Sequence, residues 1–332
     1  MARLQLARRS LLATAILPLL GNPSRADDLR DIAMAVSSTS FVLGGVLIGQ
    51  QAGLFEKRGI RLKIVVMDSG SAAMSALLGG SVQFAVAGPG ELLAARARGV
   101  DVAVVASLYH NFAGSLVLSK STAAKLAVHP DAPQRDRLKA LDGLVIAVPS
   151  ATSALLAPVR SAALAAGATI RFTYMAQPAM VAALESGAID GFVASFPFAG
   201  KPILKGTGIT WINGVGGDLP AASLPASSST MLAAVSYVGA NRAMVAMVQN
   251  VMADIGTYIR ANPGEAKVML AKGYPQLGGD EVALAFDAQK GNWTNPFLTI
   301  DDMRHELELL RASTDLPGLA NLDISKTLIP PP

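Results

Sequence analysis

Two short runs of hydroxyl side chains are the first candidates for chemistry in this sequence. Ser37-Ser38-Thr39-Ser40 follows an apolar run ending at Ala35-Val36, and Ser150-Ala151-Thr152-Ser153 follows Ala147-Val148-Pro149. Each run stands where a strand gives way to a helical stretch. A hydroxyl there either caps its own helix by taking a free N–H group, or joins those N–H groups and the helix dipole in holding an anion or a carbonyl oxygen. The two runs occupy matching places in two halves of the chain. Ser37, Ser38 and Thr39 on one side, and Ser150, Thr152 and Ser153 on the other, are therefore expected to contribute ligand contacts. Gly88 and Pro89, in Gly88-Pro89-Gly90, either let a ligand approach the backbone or make a tight turn into a helix. Glu91 is a favourable first-turn carboxylate or a group that selects an amine-bearing ligand. Tyr109 and His110 interrupt the apolar run 102–118, and His110 is either a ligand contact or a satisfied structural histidine. Phe196 can stack on a planar ligand or fill a core.

Catalysis finds little support. The histidines are His110, His129 and His305, there is no cysteine, and no pair stands at zinc-ligand spacing. Neither a Gly-x-Ser-x-Gly elbow nor a phosphate-binding loop is present. No catalytic residue, metal or cofactor is expected, and the chain is not expected to be an enzyme. Asp190, in the turn Gly187-Ala188-Ile189-Asp190-Gly191, suits a structural role.

The elements that must carry these residues form an internal repeat. After the first hydroxyl run a long helical stretch closes at Gly59, and Ile60 to Val66 is strand-like. Ser71 to Leu78 suits a helix ended by Gly79-Gly80, before a strand from Val82 to Ala87. After the second run a helix closes at Gly167, with Pro158 bending or shortening it. A strand from Ile170 to Tyr174, a helix from Pro178 to Gly187 and a strand from Ile189 to Ala194 follow. Each half is β-α-β-α-β with glycine at helix ends, which argues for parallel sheets flanked by helices. The expected fold class is α/β, with two similar lobes of mainly parallel sheet joined by two hinge crossings. Ligands in such sheets sit beyond the carboxyl ends of the strands: here Ser37 to Ser40, Gly88 to Gly90, Ser150 to Ser153, and Ser195-Phe196.

The remaining third is helical. Met244, Met247, Val248, Val251, Met252, Ile255 and Ile259 share one helical face. Asn262-Pro263-Gly264-Glu265 suggests an N-cap and a first-turn proline for a second helix. Thr299 with Asp302 suggests a capping box for a last one. These helices should cover a lobe, most simply the first. That requires two crossings, placed at Tyr109-His110-Asn111 and at Ser227 to Val235. Lobe I is then expected over 27–115 plus 232–332, and lobe II over 116–231.

Composition sets the compartment. The chain has 332 residues, 51% hydrophobic and 16% charged, enough for two domains and a large core. Residues 1–26 hold Arg3, Arg8, Arg9 and Arg25 without an acid; removing these four from 28 basic side chains leaves 24, matched by 24 acidic ones. A basic surface for nucleic acid is thus not supported. Arg8-Arg9 before the apolar run 11–20, with Ser24-Arg25-Ala26 after it, has the form of a cleaved export signal, secretory or twin-arginine. About 20 apolar residues are needed to span a bilayer, so this run is too short. The mature chain is expected to start near Asp27, free of a lipid anchor because no cysteine is available.

Several segments carry a family resemblance. Gly44 to Gly59 (GGVLIGQQAGLFEKRG), Ala76 to Gly88 (ALLGGSVQFAVAG), Leu141 to Ser153, Ala183 to Pro197 (ALESGAIDGFVASFP) and Tyr258 to Ala271 (YIRANPGEAKVMLA) resemble the nitrate/sulfonate/taurine-type substrate-binding proteins of ABC transporters. These form a branch of the periplasmic binding protein type II fold. The resemblance implies a soluble, monomeric periplasmic receptor that holds a small organic or anionic solute between its lobes. Sulfonate, nitrate, carboxylate and pyrimidine-like ligands are the classes in view, and a membrane permease is the implied partner. Where the family often places a tryptophan with an acidic residue, this chain has Ser195-Phe196-Pro197-Phe198, so no ligand type carries over. The related thiamine-pyrimidine synthases bear cysteine-rich and histidine-bearing motifs that are absent here. A sensing receptor that signals to a partner would share the same sequence features.

Overall fold

Apolar runs bounded by glycine turns form ten strands among the described residues, 29–67 and 70–332 of a computed structural model. The expected export signal lies outside that range. The strands are β1 (Arg30–Val36), β2 (Ile60–Val66), β3 (Phe84–Ala87), β4 (Val102–His110), β5 (Gly114–Ser119), β6 (Val145–Val148), β7 (Arg171–Tyr174), β8 (Gly191–Ser195), β9 (Gly208–Ile212) and β10 (Ser227–Ala234). They make two five-stranded sheets, ordered β2-β1-β3-β10-β4 and β7-β6-β8-β5-β9. Each sheet is mainly parallel, with its fourth strand antiparallel to both neighbours. Those fourth strands, β10 and β5, are the ones that follow a crossing from the other sheet. The register repeats too: Met34 faces Phe84 as Ile146 faces Gly191. Ser38 and Ser150 are therefore equivalent positions, each two residues beyond its strand.

Alternation along the strands sends side chains to opposite faces, and helices cover both. Met34 and Phe84 pack with Phe41, Val248, Ile255 and Trp293 on one face of the first sheet. Ala35 and Ala85 pack with Leu77, Leu93, Met303 and Leu307 on the other. In the second sheet Ile146 and Val148 meet Val159 and Trp211, while Ala147 and Phe192 meet Met180 and Leu184. This double cover explains why β4 is buried from Val102 to Tyr109.

The differences from expectation are local. The stretch after Ser40 is not one helix but a 3-10 turn (Phe41–Leu43), a helix (Gly44–Gln51) and a short helix (Leu54–Lys57). Gly53, at φ 67°, turns the chain between the last two, in a conformation costly for a residue with a Cβ. After Ser153 the helix begins only at Ala157, with Pro158 in its first turn. Asn262 makes no side-chain cap; its Nδ2 instead donates to the Tyr258 carbonyl at 3.3 Å. The Thr299–Asp302 box is reciprocal: Thr299 Oγ1 accepts from the Asp302 N–H at 3.2 Å, and the Thr299 N–H donates to Asp302 Oδ2 at 2.7 Å.

The crossings are also shifted. Tyr109 and His110 belong to β4, so the first crossing is Asn111 to Ala113; the second ends before Ser227, where β10 begins. The two run side by side. The Asn111 N–H donates to the Ala226 carbonyl at 3.1 Å, Ser228 Oγ donates to the Asn111 carbonyl at 2.7 Å, and the Ala113 N–H donates to Ser228 Oγ at 2.9 Å. The helix Ile300–Ser313 does not cover the first sheet alone. It packs against Pro89–Ala97 on one side and Ala157–Ala165 on the other. No helix among the described residues is long and apolar enough to cross a membrane.

Candidate functional site

The carboxyl ends of β1, β3, β6 and β8 face one another across the gap between the sheets. One part of this cleft, a cavity of about 80 Å³, presents the hydroxyls of Ser37, Ser38, Ser40, Ser153 and Ser195, the Glu91 carboxyl and the Gln177 amide. Val42, Val86, Ala154 and Leu155 supply apolar wall. An adjoining cavity of about 280 Å³ adds Ser150, Gly70, Tyr174 and Met175. Both share Ser37, Ser38, Glu91, Pro149 and Gln177, so the space is continuous.

Glu91 stands at the third position of the helix Pro89–Ala97. Its Oε2 accepts the Gly88 N–H at 2.9 Å, and its Oε1 accepts the Ser150 hydroxyl from the opposite lobe at 3.1 Å. Burial raises its carboxyl above the usual carboxylate range, and these two hydrogen bonds partly offset that by favouring the ionised form. Gln177 comes from the start of the helix Gln177–Glu185. Its Oε1 accepts both the Ser195 N–H at 2.8 Å and the Ser195 hydroxyl at 3.0 Å. A backbone N–H can only donate, so the amide orientation is set and Nε2 remains as a donor. Ser40 is fully buried, lines the cleft, and its hydroxyl has no partner. It does not cap the 3-10 turn that follows it. Among the described residues no lysine, arginine or histidine lines the cleft.

The expected ligand contacts divide into two groups. Ser37, Ser38, Gly88, Ser150 and Ser153 come together on the cleft wall. Ser153 also accepts the Leu155 N–H at 3.2 Å. Thr39, Pro89, Tyr109, His110, Thr152 and Phe196 do not line it. Thr39 is exposed beside it. Pro89 is the buried first residue of its helix. Tyr109 lies in the core, where its hydroxyl donates to Gln289 Oε1 and accepts from Asn292 Nδ2, each at 2.9 Å. His110 faces Asn295 and Asp302, and burial lowers its pKa, favouring the neutral ring. Thr152 borders a small gap with Gly90, Pro225 and Glu306. The Phe196 ring meets Phe41 edge-on at 4.5 Å, and its carbonyl accepts the Phe41 N–H at 2.8 Å, joining the lobes beside the cleft.

Gln177, Tyr174 and Met175 escape the sequence reading because it treats only four strand ends as ligand-facing. Extending the repeat to β2 and β7 finds them, since Gly70 and Ser71 line the cleft after β2 as Tyr174, the last residue of β7, and Met175 and Gln177 after it do.

Solved structures of periplasmic binding proteins share this architecture. The alkanesulfonate-binding protein SsuA from Xanthomonas axonopodis pv. citri, bound to MOPS, superposes with a TM-score of 0.68 at 17% identity, over 87% of this chain and 96% of that one. The aliphatic sulphonate binding protein SsuA from Escherichia coli gives 0.63 at 17%, over 90% and 98%. The nitrate-binding protein NrtA from Synechocystis PCC 6803 gives 0.64 at 14%, over 89% and 86%. At such identities the likeness establishes the fold. No curated protein sequence matches this chain. The NMT1-like family profile, however, matches residues 43–271, which take in every strand but β1 and most of the cleft wall, and the chain therefore belongs to the NMT1-like family.

Proposed function

We propose that this protein is the periplasmic solute-binding component of an ABC transporter, taking a small molecule between its two lobes and delivering it to a membrane permease. The observation that carries this reading is the cleft. Polar groups from equivalent strand ends of both sheets converge there, on two bodies connected by only two adjacent crossings. A solute touching both sides makes its full contacts only when the lobes approach, so it binds the closed arrangement better and shifts the population toward it. The fold shared with sulfonate- and nitrate-binding periplasmic proteins supports the same role. In this reading the first lobe holds β1 to β4 and β10 with the C-terminal helices, and the second holds β5 to β9, so the boundaries lie at Asn111 to Ala113 and just before Ser227 rather than at 115/116 and 231/232. The chain works as a monomer, needs no cofactor, and performs no catalysis.

The test starts with protein isolated from its own periplasm. Native mass spectrometry should find one small molecule per chain, and deleting the gene should abolish uptake of that compound by whole cells. Unaltered uptake in the deletion strain would remove the transport role.

A further inference from the structure

We infer that the cleft selects a neutral or cationic, nitrogen-bearing solute that presents N–H donors to Glu91, and that it rejects simple oxyanions such as nitrate and sulfonates. The inference rests on the solute-binding reading and specifies its ligand class. Three observations carry it. The charged side chain of the cleft wall is a carboxylate, and no cationic side chain among the described residues lines the space to balance an anion. Glu91 is held facing the cleft by bonds from both lobes: the Gly88 N–H fixes Oε2, and the Ser150 hydroxyl reaches Oε1 from across the gap. Each oxygen has a second lone pair, so the carboxylate can still accept from a solute. When the carboxyl is ionised, an anion brought to the same place meets like charge.

The rest of the wall suits a molecule with donors on one edge and acceptors on another. Gln177 Nε2 offers N–H donors, because its oxygen is committed to Ser195. The Ser40 hydroxyl, fully buried and without a partner, can donate or accept. Amides, ureas, amidines and amino-substituted rings have this pattern, whereas nitrate and sulfonates offer acceptors alone. Val42, Val86 and Leu155 offer apolar wall beside these groups.

Two measurements test the assignment on the full exported chain. Accurate-mass identification of the co-purified solute should give a compound with amine, amide, amidine or ring N–H groups. A compound whose polar groups are all oxyanions overturns the inference and leaves the receptor reading standing. Calorimetry then compares that solute with probes matched in shape: guanidinium against nitrate, and benzamidinium and benzamide against benzoate and benzenesulfonate. The nitrogen-bearing members are expected to bind about tenfold or more tightly than their anionic counterparts, the scale of one hydrogen bond to a charged group. Anions that bind as well or better overturn it. Glu91→Gln keeps the side-chain shape and, with its fold checked by circular dichroism, should weaken the solute by about tenfold or more. Unchanged affinity in that variant also counts against it. If no solute co-purifies and no probe binds, the receptor reading falls and the inference with it.

Discussion

Gly90 shows how one residue sets the distance between the lobes. A Cβ there would stand 2.8 Å from the Thr152 carbonyl oxygen, a backbone atom of the opposite lobe that cannot swing aside. Gly90→Ala should therefore hold the lobes apart rather than disturb either core. Overpacking of this kind costs about 1–3 kcal/mol, so solute affinity should fall on the order of 5- to 150-fold. Small-angle scattering should show a larger radius of gyration, with the helical circular dichroism unchanged. Wild-type affinity and radius would mean that the contact can relax. Ser150 belongs to the same scale. Ser150→Ala removes the hydroxyl that reaches Glu91 from across the gap. It should weaken binding by about 1 kcal/mol, roughly fivefold, and calorimetry on the folded variant measures it.

At the scale of elements, the helix Ile300–Ser313 acts as a clamp on the crossings. His305 Nε2 bonds the Leu224 carbonyl at 2.8 Å, Glu306 Oε1 accepts the Ser227 N–H at 3.2 Å, and Arg160 of the second lobe donates to the Ser313 carbonyl. Burial, opposed by the Ser227 and Ala226 N–H groups and reinforced by Asp302, pushes the Glu306 carboxyl up to about 8. The folded chain thus holds this proton more tightly than the unfolded chain. Its stabilising contribution is complete below the ordinary carboxylate range, near 4.5, and is lost as pH rises through about 8. The melting temperature should fall across that window, and Glu306→Gln should flatten most of the fall. Glu91, raised in the same direction, accounts for part of the remainder. Asp218 is held below its ordinary range chiefly by its hydrogen bond from Arg137, so its contribution is lost only on acidification below the window. A melting profile that rises between pH 5 and 8 would contradict the assignment to Glu306.

For the whole molecule the expected readout is closure. At roughly 100 times its dissociation constant, a solute that binds only the folded state adds about 2.7 kcal/mol. For a chain of this size that is several degrees in melting temperature, on the order of 2 °C or more per kcal/mol. The radius of gyration should contract at the same time. A melting shift without contraction would place the pocket within one rigid body. The exported chain should begin near Asp27 and fractionate with soluble proteins; N-terminal sequencing that finds Met1 intact would remove the export step.

The architecture was legible because it rests on local rules that repeat. Apolar runs ending at glycine turns, twice over, require parallel sheets with covered faces, and the strand β2 (Ile60–Val66) lies where its residues alone put it. The hydroxyl runs were legible as strand-end features, and Ser38 and Ser150 do sit at equivalent places. What the sequence could not determine is which way a side chain points once two bodies meet. Tyr109 and His110 are polar residues at the end of an apolar run, as a cleft residue would be, yet β4 continues through them and turns Tyr109 into the core toward Gln289. Glu91 has the same local signature as any first-turn carboxylate. Only the approach of Ser150, distant in sequence and on the other lobe, makes it a point where the two sides of the cleft meet. Local pattern determines elements through short-range sterics and burial. Contacts between separate lobes depend on how two rigid surfaces dock, and tertiary structure alone decides that.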